Sequence, residues 1–229
     1  MRAITNRIVG FVLLMRLDEY LVREGLVSSR SRAKHLIERG LVKVDGKAIT
    51  KPSQKIEYGR AVTVEGEDRP EGYYKLKGIQ EAAGILREGD VVLDIGSSAG
   101  GFLMYAAGMA SRVTGIEFSE EFRKPLMEVE KGYSNVKVIF GDAFTMDIAK
   151  LDGPYDVILN DMTVEPTKSI EVLERYLSLL KRGGRALQVV KLGQAGSIEP
   201  IVKTLEDAGL KVLKIIRPEK MEAYIVLEK

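Results

Sequence analysis

Cysteine and tryptophan are absent from this chain of 229 residues, and histidine occurs once, at His35. Without cysteine there is no disulfide framework, no thiolate zinc site and no cysteine nucleophile, and the composition suits a reducing cytosol. A single histidine leaves too little material for a histidine-based triad or a histidine-rich metal site. Any catalysis must therefore be built from Lys, Asp, Glu, Ser, Thr and Tyr, with no metal. Asn and Gln number only seven together, which fits a heat-adapted source. Long apolar runs are missing as well. The longest, Ile8 to Met15, is broken by Gly10 and falls far short of the ~20 residues that a membrane-crossing helix needs. Arg2 and Arg7 ahead of it look like the start of a secretion signal, but Arg16-Leu17-Asp18-Glu19 stands where small residues should mark a cleavage site. Residues 1–15 are set aside as an N-terminal extension; residues 1–14 read equally well as native sequence or as a leader before a start at Met15.

What is present describes a soluble, cytoplasmic, globular protein. Hydrophobic residues make up 45% of the chain, enough for a sizeable core, and charged residues 30%, with a formal net charge of +2. The near-neutral total hides a division. Residues 16–66 carry eleven Lys or Arg against seven Asp or Glu, whereas residues 67–229 carry 22 against 26. Such asymmetry points to a small basic module, residues 16–66, joined through a polar Gly- and Pro-containing linker at 67–72 to a larger acidic domain at 73–229.

In the basic module, Leu17, Tyr20 and Leu21 fall at helical spacing and Gly25 ends that segment. Ser28 or Ser29 can cap a second helix with Ala33, Leu36 and Ile37 on its apolar face and Gly40 at its end. Leu41 to Val44, the turn pair Asp45-Gly46 and Lys47 to Ile49 then read as a β-hairpin. The expected unit is two short helices and a small ribbon. Arg30, Arg32, Lys34, Arg39, Lys43, Lys47, Lys51 and Lys55 crowd onto the second helix and the segment after it. Such a density of cations suits phosphate neutralisation, although by charge alone it is equally an ordinary solvated helix face.

Beyond residue 73, helix-like and strand-like segments alternate, the pattern of a mostly parallel sheet with helices on both faces. A helix is expected over 73–86, with Leu76, Ile79, Ala83 and Leu86 on one face. Strands are expected at 91–95, 113–117, 136–140, 157–160, 186–191, 212–216 and 224–227, with helices near 101–109, 119–131, 168–181 and 198–208. Only Arg217 to Glu222 joins the last two strands, too little for a parallel crossover, so they should form an antiparallel hairpin at or near a sheet edge. The first of these strands runs into Asp94-Ile95-Gly96-Ser97-Ser98-Ala99-Gly100-Gly101-Phe102. Glycines after a buried strand let the backbone approach a ligand and launch a helix whose amides point at it. A dinucleotide fingerprint would need a glycine two positions after Gly96, where Ser98 stands. Glu117 ends the second strand and Asp142 follows the third; each alone is equally a solvated strand end or a turn residue.

The basic module resembles the S4 RNA-binding domain in the order Arg16-Leu17-Asp18, Ser29-Arg30, Ala33, Leu36-Ile37, Gly40, Val42, Val44, Gly46 and Lys51-Pro52-Ser53. The resemblance implies a small α+β domain that grips structured RNA through Arg16, Arg30, Arg32, Lys34, Arg39, Lys43 and Lys51, with His35 a member of the basic helix. The larger domain resembles the Rossmann-like class I methyltransferases, whose pocket holds S-adenosylmethionine. That resemblance implies cofactor contacts from Asp94, Gly96, Ser97, Ser98, Gly100, Gly101 and Phe102, from Glu117 to the ribose, from Asp142 with Ala143 to the adenine, and from Asp161.

Four charged residues sharpen the resemblance. Lys75 lies in Tyr73-Tyr74-Lys75-Leu76, Asp161 in Leu159-Asn160-Asp161-Met162-Thr163, Lys191 in Val189-Val190-Lys191-Leu192 and Glu222 in Met221-Glu222-Ala223-Tyr224. These segments resemble those holding the Lys-Asp-Lys-Glu tetrad of FtsJ-like RNA ribose 2′-O-methyltransferases. The implied roles are Lys191 as base or orienter of the acceptor hydroxyl, with Lys75, Asp161 and Glu222 holding the cluster. Taken singly, each is also a solvated surface charge or a turn residue. The two modules in this order resemble the TlyA haemolysin family of ribosomal RNA methyltransferases, implying cytidine in ribosomal RNA as the acceptor. Asn160-Asp161-Met162-Thr163-Val164 and Lys191-Leu192-Gly193-Gln194 depart from that family's Asp-Val-Ser-Phe and Lys-Pro-Gln-Phe runs. The competing expectation is a non-catalytic RNA- or ribosome-binding factor that keeps the fold.

Overall fold

The computed structural model describes residues 13–65, 69–192, 197–218 and 221–229. Residues 1–12 of the expected extension, residues 67 and 68 of the expected linker, and Gly193 and Gln194 lie outside them. The chain divides into two compact units, with the boundary between Glu71 and Gly72.

The first unit runs β1 (Leu14–Arg16), α1 (Leu17–Arg23), α2 (Arg30–Glu38), β2 (Val42–Val44), β3 (Lys47–Ile49), β4 (Lys55–Glu57) and β5 (Val62–Val64). Ser29 caps α2, its hydroxyl accepting from the Arg32 amide. Asp45 and Gly46 both take positive φ, 48° and 80°, the mirror-image turn that matches strand twist in a two-residue hairpin. Leu17, Leu21, Ala33, Leu36, Ile37 and Val42 form the core. The unit holds more β-structure than expected: β3-β2-β5 is one antiparallel sheet and β1-β4 a second antiparallel pair. Strands of three residues carry too little alternation to be recognised in sequence.

The second unit begins in α3 (Glu71–Ala83), which starts inside the stretch read as linker. Then come β6 (Val91–Ile95), α4 (Gly101–Ala107), β7 (Arg112–Glu117), α5 (Arg123–Gly132), β8 (Val136–Phe140), β9 (Tyr155–Asn160), α6 (Pro166–Tyr176), β10 (Leu180–Lys191), α7 (Glu199–Asp207), β11 (Lys211–Ile216) and β12 (Glu222–Glu228). α3 is shorter than expected: Gly84 (φ 60°) ends it, and Leu86 is held instead by two hydrogen bonds to the Gln80 side chain.

The seven-stranded sheet has the order β11-β12-β10-β9-β6-β7-β8. Its five inner and far strands, β10 to β8, are parallel, and β12 enters antiparallel between β10 and β11, so the expected hairpin exists and leaves β11 at the edge. Alternate residues of β6 feed two cores: Leu93 and Ile95 join one, Val92 the other. Both faces are covered, which is why the parallel strands read as near-continuous apolar runs. The chain winds outward from β6 through β7 and β8, then returns to start β9 on the other side. Open sheets of this kind leave a crevice at that reversal, beyond the carboxyl ends of the strands. No helix among the described residues is long and apolar enough to cross a membrane.

Candidate active site

The reversal positions the turn after β6 against the end of β9. Gly96 takes φ 83°, and a Cβ there would lie 3.1 Å from Cγ of Met162, so only glycine lets the two loops meet this closely. The amides of this turn face the protein more than expected. Those of Gly96 and Ser97 donate to the Ile116 carbonyl, that of Ser98 to Glu117 Oε2 at 2.7 Å, and that of Gly100 to the Ser97 carbonyl. Gly100 and Gly101 serve packing: a Cβ on Gly100 would stand 2.8 Å from Val129, and one on Gly101 2.5 Å from the Tyr73 amide nitrogen. Phe102 is a core residue.

A cavity of about 610 Å³ opens beside this turn, within the range of small-molecule sites. Of the residues expected to hold the cofactor, Gly96, Ser98, Glu117, Asp142, Ala143 and Asp161 line it; Asp94, Ser97, Gly100, Gly101 and Phe102 do not. Phe118, Phe122, Phe144, Met162 and Thr163 also line it and were not recognised in sequence. Phe118, though apolar, is 74% exposed, and its place directly after the acidic strand end was the available signal.

Glu117 is buried, with Oε2 accepting from Ser98 and Oε1 from the Ser119 amide at 2.7 Å. A carboxylate has about four acceptor positions, so each oxygen can still accept once more. Asp142 accepts from the Phe144 amide at 2.8 Å and from the Thr145 hydroxyl at 3.3 Å. It is thus a turn residue and a cavity residue together. Asp94 is 1% exposed, and neither carboxylate oxygen has a hydrogen-bond partner. Burial pushes its carboxyl up to about 7 against the pull of the nearby Ser97 hydroxyl, with the charges of Asp161 and Glu117 adding to the rise. It sits on β6 at a position whose neighbours in the alternation are core residues.

The four expected catalytic residues come from four elements. Lys75 projects from α3, Asp161 follows β9, Lys191 ends β10 and Glu222 begins β12. Lys75 Nζ lies 2.8 Å from Asp161 Oδ2 and 3.2 Å from Glu222 Oε2, and the Tyr224 hydroxyl donates to the same Glu222 oxygen. Burial lowers the Lys75 pKa, but Asp161 and Glu222 outweigh it and hold the ammonium's pKa above the usual value. Burial raises the Asp161 carboxyl, against the pull of Lys75 and Lys191. Asp161 Oδ1 has no hydrogen-bond partner. Lys191 and Glu222 are directly opposed across β10 and β12, yet Lys191 Nζ donates to Thr163 Oγ1 at 2.7 Å. Beneath them, Asn160, Gln188 and Ser169 form a buried hydrogen-bonded layer that ties α6 to the ends of β9 and β10.

In the first unit the expected RNA contacts differ in their surroundings. Arg16 donates twice to Asp18 at 2.9 Å, and Arg30 reaches the same carboxylate at 3.1 Å. Hydrogen bonding from Arg16, reinforced by Arg30, holds the Asp18 carboxyl down at about 2. Lys34 lies 3.8 Å from Glu38, and Lys43 pairs with Glu65. Arg32 lies within α2 and Arg39 directly after it. Lys47, Lys51 and Lys55 are exposed on β3, β4 and the loop between, without an ion-pair partner among the described residues.

The sheet order, the acidic strand ends and the cavity at the reversal are those of a Rossmann-like methyltransferase. Residues 69–229 match the FtsJ-like methyltransferase family and residues 15–62 the S4 domain. The chain belongs to the FtsJ-like methyltransferase family and carries an S4 domain ahead of the catalytic fold. It is 32% identical over 176 residues to ribosomal RNA large subunit methyltransferase E of Desulfatibacillum aliphaticivorans, covering 67% of this chain and 80% of that one. It is 40% identical over 91 residues to the 16S/23S rRNA (cytidine-2′-O)-methyltransferase TlyA of Mycobacterium tuberculosis, a match to 38% of this chain and 34% of TlyA. Among solved structures, fibrillarin of Aeropyrum pernix with natively bound S-adenosyl-L-methionine shares the fold, with a TM-score of 0.59 at 22% identity over 68% of this chain and 75% of that one.

Proposed function

We propose that this protein is an S-adenosylmethionine-dependent ribose 2′-O-methyltransferase of ribosomal RNA, working in the cytoplasm, with cytidine as the acceptor nucleotide. The observation that carries the reading is the meeting of Lys75, Asp161, Lys191 and Glu222 beside the cavity. The relatives support ribosomal RNA as the substrate, and TlyA supports cytidine.

The cavity residues fit the cofactor. Each oxygen of Glu117 retains an acceptor position, which suits the two hydroxyls of a ribose. Asp142 has acceptor capacity for an adenine amino group, and the buried, unpartnered carboxylate of Asp94 favours a positively charged ligand nearby. Bound S-adenosylmethionine supplies an electrophilic methyl group on its sulfonium. A ribose hydroxyl is a weak acid and a poor nucleophile, so the protein must orient it and manage its proton. Asp161 offers Oδ1 as an open acceptor, and Lys191 stands where it can orient the hydroxyl or take its proton. Lys75 stays an ammonium and fixes both Asp161 and Glu222. When bound, the cofactor would supply the methyl group to the hydroxyl oxygen that Lys191 orients, and the hydroxyl's proton would pass to the open Oδ1 of Asp161 or to Lys191 in its neutral amine form.

The test is to incubate the protein with labelled cofactor and separated ribosomal subunits or tRNA, then map ribose methylation. Label found only on a base nitrogen or carbon would overturn the reading. Lys191→Ala should abolish transfer and leave cofactor binding, measured by calorimetry, within about twofold of wild type.

A further inference from the structure

Two lysines enter the catalytic cluster, and their surroundings differ. Lys75 takes Asp161 Oδ2 and Glu222 Oε2, the latter also occupied by the Tyr224 hydroxyl. Lys191 lies opposite Glu222 in the strand register, but the hydrogen bond it makes goes to Thr163. Thr163 belongs to the loop after β9, and Met162 of that loop packs against Gly96, where a Cβ would stand 3.1 Å from its Cγ. Thr163 also lines the cavity. Its β-branch restricts χ1 to few rotamers, so Oγ1 occupies a defined point. An ammonium has three donors and no acceptor. With one donor on Thr163, two remain for another group, and the unpartnered Oδ1 of Asp161 is an acceptor on the same cluster.

We infer that Thr163 is a positioning residue, whose hydroxyl holds the Lys191 ammonium at the mouth of the cavity until the acceptor hydroxyl of the RNA takes over that hydrogen bond. The inference rests on the ribose-methylation reading, since it assigns Lys191 a hydroxyl partner of the same chemistry as the substrate's. In the free protein Thr163 stands in for that hydroxyl. Lys191 is thus aimed before the RNA arrives, and the reorganisation needed on binding is an exchange of one hydroxyl for another. Carboxylate pairing would hold Lys191 too firmly for such an exchange; Lys75, which is not required to move, is the lysine that has it.

Thr163→Val keeps the shape and removes the acceptor; Thr163→Ser keeps the acceptor. A hydrogen bond to a charged group that sets a reacting geometry is worth about tenfold or more in rate. Thr163→Val should therefore lower kcat by about tenfold or more, with KM for RNA and Kd for the cofactor within about twofold, while Thr163→Ser stays within about threefold of wild type in kcat. A part in lining the cavity alone would move cofactor Kd instead, and a part in folding alone would lower Tm for both variants. Either outcome, or a fully active Thr163→Val, overturns the inference. A second measurement needs no RNA: reductive methylation of surface lysines, read by peptide mass spectrometry. Lys191 should react severalfold faster in Thr163→Val relative to exposed Lys168, and at the wild-type rate in Thr163→Ser. Unchanged labelling refutes the positioning role. A methyl group mapped to a base would refute the ribose reading and leave the labelling result to stand on its own.

Discussion

Lys75 and Asp161 stand 86 positions apart in the chain, yet Nζ of one lies 2.8 Å from Oδ2 of the other. One helix and one strand end supply them, and Glu222, at the start of β12 two strands away, closes the group. The arrangement places a single ammonium between two carboxylates with little access to water. Without it, burial would push the Asp161 carboxyl further upward.

Lys75→Met tests that balance. Without the ammonium, burial and the neighbouring Glu222 charge act on Asp161 unopposed except by Lys191, and its carboxyl moves further upward. The acid limb of the kcat profile should shift to higher pH, since Asp161 must then be deprotonated against a larger penalty. At neutral pH kcat should fall by about a hundredfold, the scale of losing one positioned group in proton transfer. A limb that stays in place would mean that Lys75 does not govern the ionisation of Asp161.

Asp94 makes the opposite use of burial. Its carboxyl sits at about 7 in the folded protein, against roughly 3.9 in an unfolded chain. Between those values the native state binds more protons than the unfolded one, so stability falls as pH rises from about 4 to about 7 and is level above that. Asp94→Asn mimics the protonated carboxyl at every pH. The Tm of wild type should match that of Asp94→Asn near pH 4 and drop below it progressively up to pH 7. A constant difference across that range would show Asp94 ionised throughout.

Much of this could be read in the sequence, and the residues show where reading stopped. β6, β7, β9 and the second half of β10 are buried on both faces, so each appears as an apolar run with a turn after it, and the acidic strand ends Glu117 and Asp161 stand out against them. The five residues between β11 and β12 settled an antiparallel pair. They could not show that β12 would slot in beside β10, because strand order depends on which neighbour offers a free edge. The turn glycines misled in part. Gly96, Gly100 and Gly101 look alike in sequence, but only Gly96 lines the cavity, while the other two relieve clashes with Val129 and Tyr73. Thr163 was invisible because its partner, Lys191, comes from another strand, and a hydroxyl in a loop carries no mark of what it will meet.

The cations of the S4 domain show the same limit and lead to the last prediction. Density of charge nominated Arg30, Lys34 and Lys43, and the S4 resemblance Arg16, but these neutralise carboxylates of their own unit: Asp18 for the two arginines, Glu38 and Glu65 for the lysines. A cation already paired releases fewer counterions when it meets a phosphate, because part of its charge is spent within the protein. Lys47, Lys51 and Lys55 have no such partner among the described residues. Replacing these three with Ala should reduce the slope of log affinity for RNA against log salt by about two to three, at ~0.7 to 0.9 per phosphate contact. Arg30→Ala should change that slope less and lower the Tm instead, since it strips a partner from the buried Asp18 carboxylate. Affinity measured by fluorescence anisotropy across a salt series, beside thermal melts, separates the two effects. A slope that collapses with Arg30→Ala and survives the triple lysine replacement would return the RNA contact to the helix α2.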